Sequence, residues 1–481
     1  MTQIHEIKKK RNVEVAIIGA GTAGLSARRE VAKLTDDYIV IDGGDMGTTC
    51  ARVGCMPSKV LIQVANDFAR RQVLADEGIA GAEYLSVDTG EVMAYVRKLR
   101  DRFVRGVFND MSQWQDKLLK HYTRFVDTHT LLVGDEKIHA KKIIIATGST
   151  PIIPKNWRHL CQHIIDTDAF FELEQLPEKM IVIGLGVIGI ELGQALAKLG
   201  VDVTLVGLGK SIGGLSDPEI QDYVAKQFNQ QLTISLNGAE LIGESDDGRL
   251  IVEIDGRVEH FDKALLALGR RPNLESLDLI AAGISIDNRG MPEYSETTYQ
   301  LDDQAHIYLV GDVNAQRPLL HEAADQGRIA GFNAVRDHNQ CFAKRTSLSI
   351  TFCEPNIATV GKRYHQLREE EVGFITGRVS FEGQGRSIVK HKEQGLLHIY
   401  ARKADGRILG AELQAPDGEH LAHLLAWAIS NQMTVDETLA MPFYHPVVEE
   451  GVRTALRDAS RQLDIKEHDM ELFRCGDTPI R

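Results

Sequence analysis

Val13-Glu14-Val15-Ala16-Ile17-Ile18-Gly19-Ala20-Gly21-Thr22-Ala23-Gly24 decides how this chain folds. The apolar run 13–18, stopped by glycine, predicts a short strand buried in a parallel sheet. The pattern over 25–34 predicts a helix, and Tyr38-Ile39-Val40-Ile41 a second strand that ends in Asp42. Glycines at 19, 21 and 24 between a strand and a helix, with an acid about 20 residues on, form a complete dinucleotide-binding unit. Gly19 makes the tight turn, Gly21 lets the backbone approach a pyrophosphate at a helix N-terminus, and Gly24 permits close helix–strand packing. Asp42 is the acceptor for ribose hydroxyls. Three glycines alone are a weak signal; framed by two strands and the acid they are a strong one.

The unit recurs. Lys179–Ile183 repeats the strand, Gly184-Leu185-Gly186-Val187-Ile188-Gly189 the glycines, 190–199 the helix and 201–206 the second strand. Two such units predict an α/β protein with two Rossmann-like domains and two dinucleotide sites, the plan of an enzyme that passes electrons between two cofactors. The second copy departs from the pattern. Its second strand ends Val206-Gly207-Leu208-Gly209-Lys210. An acid is expected near position 207 for NAD, or a base nearby for NADP. Gly207 is neither, and Lys210 reads as a solvated loop charge sooner than as a 2′-phosphate contact.

Between the two units lies Gly47-Thr48-Thr49-Cys50-Ala51-Arg52-Val53-Gly54-Cys55-Met56-Pro57-Ser58-Lys59. Two thiols at this spacing can close a short-loop disulfide if the backbone leaves ideal helix geometry. Such bonds tend to be reducible and catalytic. The spacing by itself fits two buried free cysteines as well. With its flanking residues, the stretch closely resembles the redox-active disulfide motif of the FAD-dependent pyridine nucleotide–disulfide oxidoreductases. The resemblance covers nearly the whole chain, from Val13 to Glu450, with motifs in the family's order.

The resemblance implies an FAD site built from Gly19, Gly21, Gly24, Asp42, Gly47, Thr48, Thr49, Lys59, Ala146, Thr147, Gly148, Gly311, Asp312, Leu320, His321 and Ala323. The nicotinamide site would use Gly184, Gly186, Gly189, Glu191 and Gly269, with NAD as cofactor and NADP not excluded. Catalysis would rest on Cys50 and Cys55 as a redox disulfide, on the pair His445 and Glu450, and on Lys59 with Glu191. From its spacing alone, Glu191 fits a plain helix N-terminal charge just as well. His445-Pro446-Val447 departs from the family's His-Pro-Thr. Phe443 stands where dihydrolipoamide dehydrogenases often have a second histidine.

The resemblance also sets the domain plan: FAD-binding residues 1–151, NAD(P)-binding residues 152–269, a return to the FAD domain over 270–345, and an α+β dimerisation domain from 346 to 481. Segment 66–118 reads as a helical insertion, and Lys8-Lys9-Lys10-Arg11 as a solvated basic tail. A net charge of −13 argues against nucleic acid or an anionic membrane as partner. No apolar run reaches membrane-spanning length. Six scattered cysteines fit a reducing, cytoplasmic setting, and no spacing suggests a metal site. Cys475 reads as a surface thiol.

The expected function is oxidation of a protein-bound dihydrolipoamide, presented on a lipoyl domain, by a homodimer. The alternatives are an NAD(P)H-dependent reductase of a small disulfide, or a transhydrogenase-like flavoprotein without disulfide turnover.

Overall fold

The computed structural model describes residues 9–209, 211–464, 470–473 and 475. Lys8 and Lys210 lie outside the described residues, as does most of the C-terminal tail.

The first unit comprises β1 (Lys9–Ile18), α1 (Thr22–Val31) and β2 (Tyr38–Ile41). α2 (Cys55–Ala69) and α3 (Thr89–Ser112) follow, then β3 (Glu136–Ile145). β1 lies between β2 and β3 and is parallel to both. Val15, Ala16 and Ile17 are fully buried, as the uninterrupted apolar run requires.

β1 starts earlier than its apolar run. Lys9 to Asn12 pair with Glu136 to His139, so the basic patch from Lys9 onward is strand and not a solvated tail. The backbone ladder extends past the core while these side chains stay in water. Arg11 meets Glu136 at 3.4 Å. Segment 66–118 is also more divided than expected. α2 ends at Ala69, short turns follow, and Asp88 caps α3 by accepting from the backbone N–H groups of Gly90 and Glu91.

The second unit comprises β4 (Lys179–Ile183), α4 (Val187–Lys198), β5 (Asp202–Val206) and β6 (Thr233–Ser235). After it come β7 (Leu250–Ile254), β8 (Arg257–Phe261) and β9 (Lys263–Leu266). The parallel sheet runs β6-β5-β4-β9, with Ile164–Asp166 at its edge. β7 and β8 join Ala239–Glu244 in an antiparallel meander. The connectors into and out of this unit pair with each other, Ser149–Pro151 against Arg270–Pro272.

The chain returns through β10 (Ile307–Leu309), which pairs in parallel with the end of β3, and α5 (Leu320–Ala334). α5 lies against α1 with almost no side chain between them. A Cβ on Gly327 would sit 2.1 Å from the Ala23 carbonyl oxygen, and one on Gly331 2.4 Å from that of Ala27. The remainder is a five-stranded antiparallel sheet with Gly418–Ser430 and Glu450–Arg461 packed on it. A hairpin across Asp405-Gly406 forms within that sheet, Leu397 opposite Leu413.

The α1–α5 contact yields a prediction. Gly327→Ala forces a methyl into backbone and should cost about 1–3 kcal/mol, as overpacking does. Chemical denaturation of Gly327→Ala beside wild type measures it; an unchanged midpoint would mean that the helices are not in this contact.

Candidate active site

Each glycine of the two fingerprints has the same job in both copies. Gly19 and Gly184 adopt positive φ, +108° and +123°, and a Cβ on either would strike the carbonyl of Ala146 or Ala267. Gly24 and Gly189 lie directly on those first glycines: an added Cβ would come within 1.9 and 1.8 Å of their carbonyl oxygens. Gly21 and Gly186 have nothing within 4 Å of the equivalent point. The middle glycines therefore open onto free space at the N-termini of α1 and α4, where a pyrophosphate fits against backbone N–H groups. The residues present fit dinucleotide cofactors at both places.

Around the first fingerprint, the Asp42 carboxylate accepts from the Ala20 N–H at 2.6 Å and the Gly44 N–H at 2.9 Å. Asp312 follows Gly311 (φ +82°) and accepts from the Ser149 hydroxyl at 3.2 Å. Burial pushes the Asp312 carboxyl up from its usual range, opposed by Ser149 and by the nearby Arg270. Ala146, Thr147 and Gly148 follow β3, and Asn273 clamps this turn, its amide donating to the Thr147 carbonyl at 3.1 Å. Leu320 and His321 are exposed at the start of α5, whereas Ala323 is buried.

Gln326 escaped sequence reading. It is 1% exposed, and its carbonyl accepts from the Gly311 N–H at 2.7 Å and the Asn314 amide at 2.8 Å. It fixes the Asp312 turn to α5. Nothing in sequence spacing marks a glutamine inside an amphipathic helix as such a bracket.

The dithiol lies where the chain breaks helix geometry. Cys50 is in the short helix Thr49–Arg52, Cys55 opens α2, and the break falls at Val53–Gly54. Gly47 precedes them at φ +117°. Thr48 holds φ +62°, an outlier for a β-branched residue, and its hydroxyl accepts from the Ala51 N–H at 3.2 Å. The bend brings the two sulfurs together, and in the reduced protein they share a hydrogen bond. Cys50 donates to Cys55, which, with burial, raises the Cys50 thiol far above its ordinary range. The same hydrogen bond, aided by the Lys59 ammonium, brings Cys55 down to about 7, against the opposing effect of burial. The two cysteines are thus chemically distinct.

Lys59 lies one turn beyond Cys55 on α2. Its ammonium reaches both oxygens of Glu191, at 3.0 and 2.8 Å. Glu191 is 3% exposed and also accepts from the Phe352 N–H at 2.9 Å. The spacing left open whether Glu191 is an ion-pair partner or only a helix-end charge; the geometry gives the ion pair.

Beside the second fingerprint, a cavity of about 730 Å³ is lined by Gly184, Leu185, Gly186 and Gly207, with Gly238 and Asp255 across it. Gly269 (φ +96°) follows β9. A Cβ at position 207 would lie 2.5 Å from Leu185 Cγ. Leu185 corresponds to Ala20 of the first fingerprint, and its side chain occupies the space that an acid at 207 would need.

His445 lies far along the chain, at 81% side-chain exposure. Its Nδ1 faces the two Glu450 oxygens at 3.0 and 3.1 Å. A carboxylate only accepts, so Nδ1 carries the hydrogen and Nε2 keeps a free lone pair. Hydrogen bonding from His445 holds Glu450 below the usual carboxylate range. The Val447 N–H also donates to Glu450, at 3.2 Å, so the valine in place of threonine still contributes its backbone. Among the described residues, no hydrogen bond or ion pair links His445 to Cys50 or Cys55 of the same chain.

Residues 13–327 match the family described as pyridine nucleotide-disulphide oxidoreductase, and residues 347–456 match its dimerisation domain. Dihydrolipoyl dehydrogenase of Geobacillus stearothermophilus is 30% identical over 449 residues, covering 91% of this chain and 94% of that protein. That of Haloferax volcanii is 30% identical over 473 residues, covering 93% and 96%. Among solved structures, the HOCl-induced flavoprotein disulfide reductase RclA from Escherichia coli has the same fold, with a TM-score of 0.78 at 21% identity and coverage of 93% and 99%. Together with its two dinucleotide cradles and its dithiol, these matches show that the chain belongs to the pyridine nucleotide–disulfide oxidoreductases, homodimeric flavoenzymes that use FAD and NAD(P).

Proposed function

We propose that this enzyme oxidises protein-bound dihydrolipoamide to lipoamide, with NAD as the final acceptor. The observation that carries the reading is the dithiol itself: Cys50 and Cys55 stand on either side of a helix break, with the Lys59 ammonium on the Cys55 helix lowering that thiol. A dithiol exchange needs one sulfur that substrate attacks and one that leaves as a stable thiolate. The curated dihydrolipoyl dehydrogenases, similar over nearly the full length, support the substrate class. The natural partner would be a lipoyl domain, and the setting the cytoplasm, where the exposed thiols of Cys161, Cys341 and Cys475 stay reduced.

The chain's own groups divide the work. His445 Nε2 takes the proton of one substrate thiol, and Glu450 holds the imidazole in that tautomer. The thiolate attacks Cys50 Sγ, breaking the Cys50–Cys55 bond and leaving Cys55 as a thiolate next to Lys59. The exposed imidazolium releases that proton to solvent, takes the proton of the second substrate thiol, and the resulting thiolate attacks the substrate sulfur of the mixed disulfide. Cyclic disulfide leaves, and Cys50 recovers a proton from the imidazolium and donates it in a hydrogen bond to Cys55. FAD, held by the first fingerprint with Asp42 and Asp312, would supply the two-electron carrier between the dithiol and the nicotinamide. Because His445 is exposed and makes no contact with its own Cys50, the base for each dithiol would come from His445 of the partner subunit.

Two tests follow. Since Cys55 is depressed to about 7, its thiolate persists above that pH and is protonated below it. Ultraviolet thiolate absorbance of the reduced protein should rise through about pH 7. Lys59→Met should move the midpoint upward, and Cys55→Ser should abolish the step; a step that survives Cys55→Ser belongs to another thiol. His445→Ala should slow dihydrolipoamide oxidation by about 10²–10⁴-fold, the usual worth of a general base. Electron transfer from NADH to an artificial acceptor needs no dithiol step and should persist. Near-full dihydrolipoamide turnover in His445→Ala would refute the base assignment.

A further inference from the structure

The nicotinamide-side pocket lacks the strand-end acid that reads an adenosine ribose, and Leu185 leaves it no room at position 207. A carboxylate nevertheless stands at that end of the sheet. β5 ends beside β6, with Val206 opposite Ser235 and the Gly207 N–H donating to the Ser235 carbonyl at 2.9 Å. Leu208 bridges to Asn237, and the Gly238 N–H donates to the Gly207 carbonyl at 3.0 Å. Segment 235–238 therefore runs directly along the position where the acid is missing. The Asn237 amide donates to Asp255 Oδ1 at 2.6 Å, and the Ser235 hydroxyl bonds the same side chain.

Asp255 arrives from a different part of the chain. It is the first residue of the two-residue turn between β7 and β8, where Ile254 pairs with Arg257. Asp255 and Gly256 have φ of +51° and +74°, the turn that Asp-Gly favours. Turn formation alone would account for the residue type. It does not account for a side chain drawn onto Ser235 and Asn237, which lie in another strand and its following loop. These bonds hold the carboxyl below its usual range, so it is charged at neutral pH. Arg257 adds a smaller attraction from the same hairpin.

A second oddity lies on the same rim. Glu240 and Glu253 are directly opposite in the antiparallel meander, and both line the cavity. Like charges at such positions destabilise a sheet. They extend the negative potential of Asp255 over the pocket mouth.

We propose that Asp255, held by Asn237 and Ser235, takes over the role of the absent strand-end acid and selects NAD over NADP, with Glu240 and Glu253 adding repulsion toward a 2′-phosphate. The carboxylate accepts from the ribose hydroxyls and opposes a phosphate, so selection combines an attractive and a repulsive part. The proposal rests on the second fingerprint as the pyridine-nucleotide site and is independent of the disulfide substrate.

The test uses FAD-loaded dimer and steady-state reduction of an artificial acceptor by NADH or NADPH, which bypasses the dithiol. Wild type should favour NADH. Asp255→Asn keeps an oxygen for the Asn237 amide and removes the charge; it should narrow the NADH-to-NADPH ratio of kcat/KM about tenfold, mainly through a lower KM for NADPH. Asp255→Ala should narrow it at least as much and also raise the KM for NADH. A wild-type preference for NADPH would overturn the proposal. So would an unchanged ratio in Asp255→Asn, or an equal loss with both cofactors, which is what a purely structural turn residue would give.

Discussion

The ion pair between Lys59 and Glu191 is the constraint on which the rest of the site depends. It joins α2, which carries Cys55, to α4, which begins at the second fingerprint, and through Phe352 it reaches the start of the C-terminal sheet. Three parts of the chain are thus referenced to one buried carboxylate. Removing Lys59 would leave the buried Glu191 carboxylate without its counter-charge, which costs more than the net worth of the pair. The hydrogen bond from Cys50 lowers the Cys55 thiol most, and the Lys59 ammonium adds to it while Glu191 opposes it, so the pair that sets the geometry also adjusts the chemistry. An arrangement in which the thiolate drifted from the nicotinamide-side helix would lose both at once.

Much of this was legible in the sequence, because the decisive signals are local. The third glycine of each triplet packs on the first, five residues back, and the first packs on the strand that follows later in the same unit; both contacts recur in the two copies with nearly identical dimensions. The Cys50–Cys55 spacing required a departure from helix geometry, and the structure breaks the helix between them. The pairing of His445 with Glu450 likewise spans a single tight turn.

What stayed hidden depends on tertiary register. The start of β1 at Lys9 cannot be seen from hydropathy, since its ladder with β3 leaves charged side chains in water. Gln326 looks like any polar residue on a helix until α5 is placed under the Asp312 turn. Asp255 reads as an ordinary Asp-Gly turn until the meander folds over the end of β5. In each case the partner lies beyond the reach of local pattern and becomes adjacent only after the sheets are assembled.

Departures from local rules in this chain gather around the proposed sites. Thr48 holds a backbone conformation that β-branched residues avoid, one residue after Gly47 and two before Cys50. Glu240 faces Glu253 across a ladder where neighbouring strands would favour opposite charges. His445 leaves its imidazole in solvent with Nε2 unused, although Glu450 and the Val447 backbone hold the ring in place. A sequence shaped by folding alone would relax each of these, since consistency between local preference and global fold is what stabilises a native state. Their persistence has a physical reading in each place. Strain at Thr48 fixes the approach to the dithiol, paired acids bias a pocket toward one charge state of ligand, and an oriented but unsatisfied imidazole is complementary to something the single chain does not contain. The third case bears on assembly: under the proposed mechanism, an imidazole held toward solvent would act as a base only where a second copy brings a dithiol to it.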